Sequence, residues 1–234
     1  GRLRRRLTHH AFSSFSQYYK FVSTPQHADE LQIMVDLLTT NETYFFREPK
    51  HFAFLRDEIL PARRPSETFR IWSAASSSGE EAYTMAMVLA EHIRGGSWEV
   101  FGSDISTQVL EKARAGLYPL ERTEGIPPAF LTKYCMKGVR SQAGKLMISS
   151  ELRKNVRFEQ VNLTNPVEAW VGNFDVIFLR NVMIYFDLET KQQVVANLLP
   201  HLKSGGYFIV GHSESLNGIT QTLRTVQPTI YRKP

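Results

Sequence analysis

From Phe69 onward the chain alternates short apolar runs with helix-like stretches, and no other feature narrows the fold as far. FRIWSA reads as a strand and GEEAYTMAMVLAEHIR as a helix stopped at Gly95-Gly96. WEVFGSD reads as a second strand, followed by the helix STQVLEKARAG. FDVIFLRN, LETKQQVVANLLPHLK (stopped by Ser204-Gly205-Gly206) and GYFIVGHS repeat the strand–helix–strand order. Parallel strands need long crossovers, normally helices, so this alternation predicts a doubly wound α/β sheet. A length of 234 residues accommodates one such domain and something smaller.

The smaller part precedes the sheet. SSFSQYYKFV and ADELQIMVDLLTT both show helical spacing, with a break at Pro25. Residues 1–60 are therefore expected to form a helical domain with its linker, and residues 61–234 the sheet domain. Within the latter, KYCMKGVRSQAGKLMISSELRKNVRFEQ, at about 133–160, reads as a small antiparallel β insert with a turn around Gly138 to Gly144. No apolar run approaches 18 residues, so no membrane span is expected. No apolar stretch follows the basic start, so no signal peptide is expected. The single cysteine, Cys135, forbids an internal disulfide, suits a reducing cytoplasm and reads as a packing residue.

The net charge of +5 is unevenly placed. Residues 1–20 hold Arg2, Arg4, Arg5, Arg6 and Lys20 and no acid, so the remainder balances to zero. On a helix Arg2, Arg5, Arg6 and His9 share one face. Such a stripe either draws an acidic partner (nucleic acid, anionic lipid or an acidic protein helix) or is a solvated face at a chain end.

The turn after the first strand, WSAASSSGEEAY, poses the functional question. A phosphate cradle offers glycines, amide donors and often a lysine. This turn offers small residues, one glycine (Gly79) and two carboxylates, Glu80 and Glu81. Its occupant should approach the backbone closely and carry positive charge or donors. In open α/β sheets the ligand lies beyond the carboxyl ends of the strands. Those ends bring Ala74 to Glu81 together with Ser103-Asp104, Val161-Asn162-Leu163 and Arg180 to Tyr185. Asp104 either accepts the hydroxyls of a ribose or caps the helix that follows. Asn162 and Asn181 either bond an adenine or close turns. Together they describe a nucleoside site without a pyrophosphate cradle, which favours S-adenosylmethionine over a dinucleotide. A nicotinamide dehydrogenase is disfavoured because no GxGxxG follows the first strand.

TTNETYFFREPKHF, WSAASSSGEEAY, FGSDIS, RNVMIYFD and GHSESL, in this order and spacing, resemble the chemotaxis receptor methyltransferases, the CheR family. The resemblance covers nearly the whole chain, starting partway through the family's N-terminal helices. It implies a Rossmann-like S-adenosylmethionine-dependent methyltransferase sheet with an N-terminal helical domain and a small antiparallel β insert. It further implies a cytoplasmic, monomeric enzyme. Methyl groups would pass from S-adenosylmethionine to glutamate side chains of chemoreceptor cytoplasmic bundles, leaving S-adenosylhomocysteine. Neither nucleic acid nor metal is implied.

Carried over by position, Asn41, Thr43 and Arg47 reach over the cofactor from the linker. Glu81 meets its cationic methionine end, Asp104 holds the ribose, and Asn162, Leu163, Asn181 and Val182 frame the adenine and the methionine end. Arg47 and Tyr185 are the expected catalytic residues, orienting the target carboxylate. Arg2, Arg5 and Arg6 are expected to face the receptor. Arg140, in the insert turn GVRSQAG, is expected to meet a receptor C-terminal peptide, with a plain hairpin as the alternative. GHSESL reads mainly as local structure, and His212 as a packed histidine. An enzyme acting on amide or base nitrogen is expected to carry an NPPY-like run where this chain has RNVMIYF. A module that keeps the fold without activity is disfavoured by the intact cofactor motifs.

Overall fold

A computed structural model describes residues 1–234. Ten strands are present: β1 (Phe69–Ser73), β2 (Trp98–Asp104), β3 (Leu117–Pro119), β4 (Cys135–Lys137), β5 (Lys145–Ile148), β6 (Val156–Gln160), β7 (Phe174–Leu179), β8 (Leu202–Val210), β9 (Arg224–Gln227) and β10 (Ile230–Arg232). Nine α-helices accompany them: α1 (Arg4–His9), α2 (Phe15–Val22), α3 (Ala28–Leu38), α4 (Pro49–Phe54), α5 (Glu80–His92), α6 (Thr107–Ala115), α7 (Pro128–Tyr134), α8 (Ser150–Arg153) and α9 (Leu188–Leu198). No helix is long and apolar enough to cross a membrane.

Seven strands form one sheet in the order β6-β2-β1-β7-β8-β10-β9. The five from β6 to β8 pair in parallel, and the C-terminal hairpin β9–β10 adds antiparallel. β1 thus lies between β2 and β7, where the chain's progression across the sheet reverses, and a crevice opens beyond the strand ends there.

The core follows from the two-residue period of the strands. Phe69 and Ile71 of β1 join one buried cluster while Trp72 joins the other. In β7, Val176 and Phe178 face the first and Ile177 and Leu179 the second. Both sheet faces are therefore covered, which is why these strands read as continuous apolar runs. Truncating a fully buried ring such as Phe178 to alanine costs about 3–5 kcal/mol.

Helix ends match the local sequence. Ser106 Oγ accepts the Val109 N–H at the start of α6, and Gly116 closes it at φ 59°. Asp187 caps α9 through Thr190 N. Gly79 opens α5 at φ 97°, and a Cβ there would lie 2.9 Å from Ala113 Cβ. Only glycine meets both demands.

The insert differs from the expected 133–160 stretch. Its sheet is β3-β5-β4, so it begins upstream at Leu117. Val156–Gln160 instead pairs in parallel with β2 and ends the main sheet. The alternating polar residues Arg157 and Glu159 fit an antiparallel hairpin strand equally well, but they reflect the edge position of β6. The C-terminal hairpin β9–β10 also gave no clear sequence signal; every residue of β9 is exposed.

Candidate active site

A cavity of about 420 Å³ lies at the crevice beside β1. Its wall comes from the strand ends of the sheet and from the segment joining α3 to α4. Asn41, Thr43, Arg47, Glu81, Asp104, Asn162, Leu163, Asn181, Val182 and Tyr185 all line it. Residues spread over most of the chain thus converge on one volume.

Ala74 and Ala75 form the floor where β1 runs out. From there the backbone turns through Ser77, at φ 48°, into α5. Asp104 is buried at the end of β2. One oxygen accepts Ser77 N at 2.9 Å and the other accepts Ser106 N at 3.0 Å. Burial raises its pKa, while the Ser106 and Ser77 N–H groups act in the opposite direction. The helix cap itself is Ser106, so Asp104 shapes the turn and keeps lone pairs toward the cavity.

Glu81 is held on both oxygens. Ser73 Oγ donates to Oε1 at 2.7 Å, and Arg180 Nε donates to Oε2 at 2.8 Å. Arg180, which the sequence places at a strand end without a role, is the organising cation of the site. Its side chain is only 1% exposed. Its remaining nitrogens reach Glu48 Oε2 (3.4 Å), His51 Nδ1 (2.8 Å) and the Arg47 carbonyl (2.9 Å). A guanidinium only donates, so His51 Nδ1 accepts. Nε2 then carries the hydrogen and donates to Thr229 Oγ1 at 2.8 Å. Burial, with Arg180 and His212 nearby, pushes the His51 pKa down to about 3, keeping the ring neutral.

Glu48 adds a second carboxylate, and its Oε1 accepts Asn181 Nδ2 at 3.3 Å. Asn181 takes a left-handed backbone, φ 60°. Asn162 Oδ1 closes a local turn with Thr164 N and Oγ1, leaving its amide nitrogen for a ligand. Asn41 and Thr43 contribute through the linker: the Asn41 carbonyl accepts Ser77 Oγ, and the Thr43 carbonyl accepts Arg122 Nη2. At the rim, Arg47 Nη1 donates to the Glu42 carbonyl at 2.9 Å. None of the ion pairs involves Arg47, so its charge stays available. Tyr185 is 58% exposed, placing its phenol at the mouth.

The residues present fit S-adenosylmethionine. Glu42, Glu81 and Asp104 line the cavity against two arginines, Arg47 at the rim and Arg180 already paired with Glu81, and no lysine does. Glu81 and Glu48 together exceed the single charge of Arg180, so the deep end suits an ammonium group and not a phosphate. Ile105 and Leu163 supply apolar wall for a base, and the small floor at Ala74-Ala75 admits a close approach.

Two expected features, the basic stripe and His212, take a different form. Arg6 is not free: it makes a bidentate pair with Glu30, which also accepts Tyr18 Oη at 2.7 Å. Arg2 precedes α1 and donates to the carbonyls of Leu38 and Thr39. The expected stripe is therefore partly internal structure, with Arg4 and Arg5 left exposed. The partner of Arg6 lies 24 residues away, beyond any helical periodicity. His212 is not packed; its side chain is 50% exposed, edge-on to His51 at 5.0 Å. Arg140 lies exposed on the insert turn with φ 53°, away from the cavity.

Comparison with known proteins agrees with this geometry. The family model "CheR methyltransferase, SAM binding domain" matches residues 41–232, and "CheR methyltransferase, all-alpha domain" matches residues 1–39. The chain is 41% identical to the chemotaxis protein methyltransferase of Escherichia coli over 233 residues, covering 99% of this chain and 80% of that one. It is 40% identical to chemotaxis protein methyltransferase 2 of Pseudomonas aeruginosa, covering 99% and 82%. Among solved structures, TrmN from Thermus thermophilus is similar at a TM-score of 0.48 and 15% identity, covering 78% of this chain and 47% of that one.

Proposed function

Because the chain belongs to the CheR methyltransferase family, matching both its helical and its cofactor-binding parts, we propose that it esterifies glutamate side chains of chemoreceptors with methyl groups from S-adenosylmethionine. The convergence of the strand-end and linker residues on one acid-lined, lysine-free cavity is the observation that carries this reading. S-adenosylmethionine supplies a methyl group on a cationic sulfur.

The protein's own residues attract, orient and shield. Glu81, fixed by Arg180 and Ser73, holds the ammonium end. Asp104 accepts the ribose hydroxyls, and the amides of Asn162 and Asn181 serve the base and the amino-acid tail. Arg47 and Tyr185 at the rim hold the incoming carboxylate, a guanidinium doing so through two parallel bonds. A glutamate with a reference pKa of about 4.3 is ionised at neutral pH and needs no base. Alignment in a confined site supplies roughly 7–11 kcal/mol of the barrier reduction. The linker residues Asn41, Thr43 and Arg47, which line the cavity, shield the reacting pair from water.

The partner is a helical receptor bundle, met by Arg4 and Arg5 with the tethered Arg2 beside them. The insert offers β4 as an open edge, with Arg140 and the exposed Val139 beside it. A receptor C-terminal peptide adds a strand there through main-chain hydrogen bonds. The enzyme works in the cytoplasm as a monomer. The test is methylation of a receptor fragment with methyl-labelled S-adenosylmethionine, followed by mild alkali. Release of labelled methanol is expected, since esters hydrolyse there and N-methyl groups do not. Label that resists alkali would overturn the carboxylate assignment.

A further inference from the structure

The GHSESL segment contains a buried carboxylate that does not itself line the cavity. Glu214 is 8% exposed. Its oxygens gather four backbone N–H groups. Oε2 accepts Asn181 N at 2.7 Å and Gly211 N at 2.8 Å, and Oε1 accepts Val182 N at 3.1 Å and Met183 N at 2.9 Å. Three of these donors belong to the turn that leaves β7 and enters the short 3-10 helix Met183–Tyr185.

We propose that Glu214 is a positioning residue, whose carboxylate clamps the Asn181–Tyr185 turn in the conformation that presents Asn181, Val182 and Tyr185 to the cavity. The turn needs such a clamp. Asn181 sits at φ 60°, a left-handed conformation that asparagine tolerates better than most side chains but that turns the chain out of the strand and leaves its N–H without a ladder partner. Its N–H and the next two point inward, where no strand or helix partner exists. An ionised acceptor satisfies them together and forms stronger bonds than a neutral group. Gly211 permits the approach, because a Cβ there would lie 2.6 Å from Asn181 Oδ1 and 2.8 Å from Glu214 Oε2. Glu214 does not line the cavity, so it acts through the turn.

This role rests on reading the cavity as the S-adenosylmethionine site. Two readouts keep it separable. Glu214→Gln preserves shape but turns an amide donor toward donors. Hydrogen exchange followed by mass spectrometry should show residues 181–186 losing protection while β1 stays protected. Calorimetry with S-adenosylhomocysteine should show affinity weakened roughly tenfold to a hundredfold, the scale of charged hydrogen bonds. Unchanged exchange and affinity would overturn the role of Glu214. Failure of the wild-type protein to bind would overturn the cavity reading, while the exchange result would still judge the clamp. If Glu214→Gln does not fold, Gly211→Ala decides. It should open the same turn and weaken the same affinity, and wild-type behaviour would sink the proposal.

Discussion

Arg180 Nε donates to Glu81 Oε2 over 2.8 Å, joining the end of β7 to the first turn of α5 across 99 residues of sequence. With Glu48, His51 and the Arg47 carbonyl on its other nitrogens, Arg180 is the pivot on which the linker, α5 and the end of β7 meet.

Arg180→Ala leaves Glu81 and Glu48 without their counter-ion in a buried site. Breaking a buried pair in this way costs about 3–5 kcal/mol. Urea unfolding should show a loss of that size, and a loss below about 1 kcal/mol would contradict the pivot.

Asp104→Ala removes the proposed ribose acceptor and strands Ser77 N and Ser106 N. Affinity for S-adenosylhomocysteine should fall by about one to two orders of magnitude, each lost bond to a charged group being worth roughly 1.5–3 kcal/mol. Because burial raises the Asp104 pKa, wild-type affinity should decline on acidification at a higher pH than an ordinary aspartate would impose. Calorimetry across pH tests both, and Asp104→Asn should abolish that step.

Arg47→Ala should leave stability within about 1 kcal/mol, because the side chain holds only the Glu42 carbonyl and the face of the exposed Tyr44 ring. Methyl transfer should fall by roughly a hundredfold or more, the scale of losing one preorganised donor. Single-turnover rates with saturating cofactor, measured beside cofactor affinity, separate rate from binding. Retained turnover would remove Arg47 from catalysis.

Glu30 ties the N-terminal helices together, and its hydrogen bond from Arg6 holds its pKa down at about 2. The depressed value means that its stabilisation is complete above the unfolded value of about 4.3 and fades as pH falls toward 2. Relative to Glu30→Gln, the wild type should be more stable by roughly 1–3 kcal/mol at pH 7, with the gap closing between those two pH values. A gap independent of pH would argue against the pair.

Arg5→Glu should slow methylation of a receptor fragment and flatten its dependence on salt, since exposed charges are screened beyond about 8 Å at physiological ionic strength. Arg6→Glu should also unfold the helices around Glu30, visible by circular dichroism. Equal rates for Arg5→Glu and wild type at low salt would leave Arg5 a solvated residue.

What the sequence made legible follows from what each residue depends on. β1, β2 and β7 were readable because burial on both faces leaves continuous apolar runs, and the strand-end rule then located Asp104, Asn162 and Asn181. Arg180 was not, because its meaning lies in Glu48, His51 and Glu81, brought near by folding alone. Glu214 sat in a motif read as local structure, and its four donors come from a turn some thirty residues away as well as its own. Arg6 was assigned to a surface stripe because helical periodicity cannot register a partner on α3. β6 was misassigned since an edge strand and a hairpin strand share the same alternation.

The insert is stitched to the rest of the chain at several points. Tyr118 Oη donates to the Ser78 carbonyl, Arg122 to the Thr43 carbonyl, and Tyr134 Oη to Glu91. Gly125 lies so close to Phe45 that a Cβ would stand 2.3 Å from its carbonyl oxygen. Exchanging insert hairpins between relatives is therefore not a matter of cutting at the insert's ends. A transplanted hairpin keeps these contacts only if Tyr118, Arg122, Gly125 and Tyr134 remain with the recipient, and because Leu146 and Ile148 belong to the core, a clean graft is confined to the stretch from Met136 to Lys145.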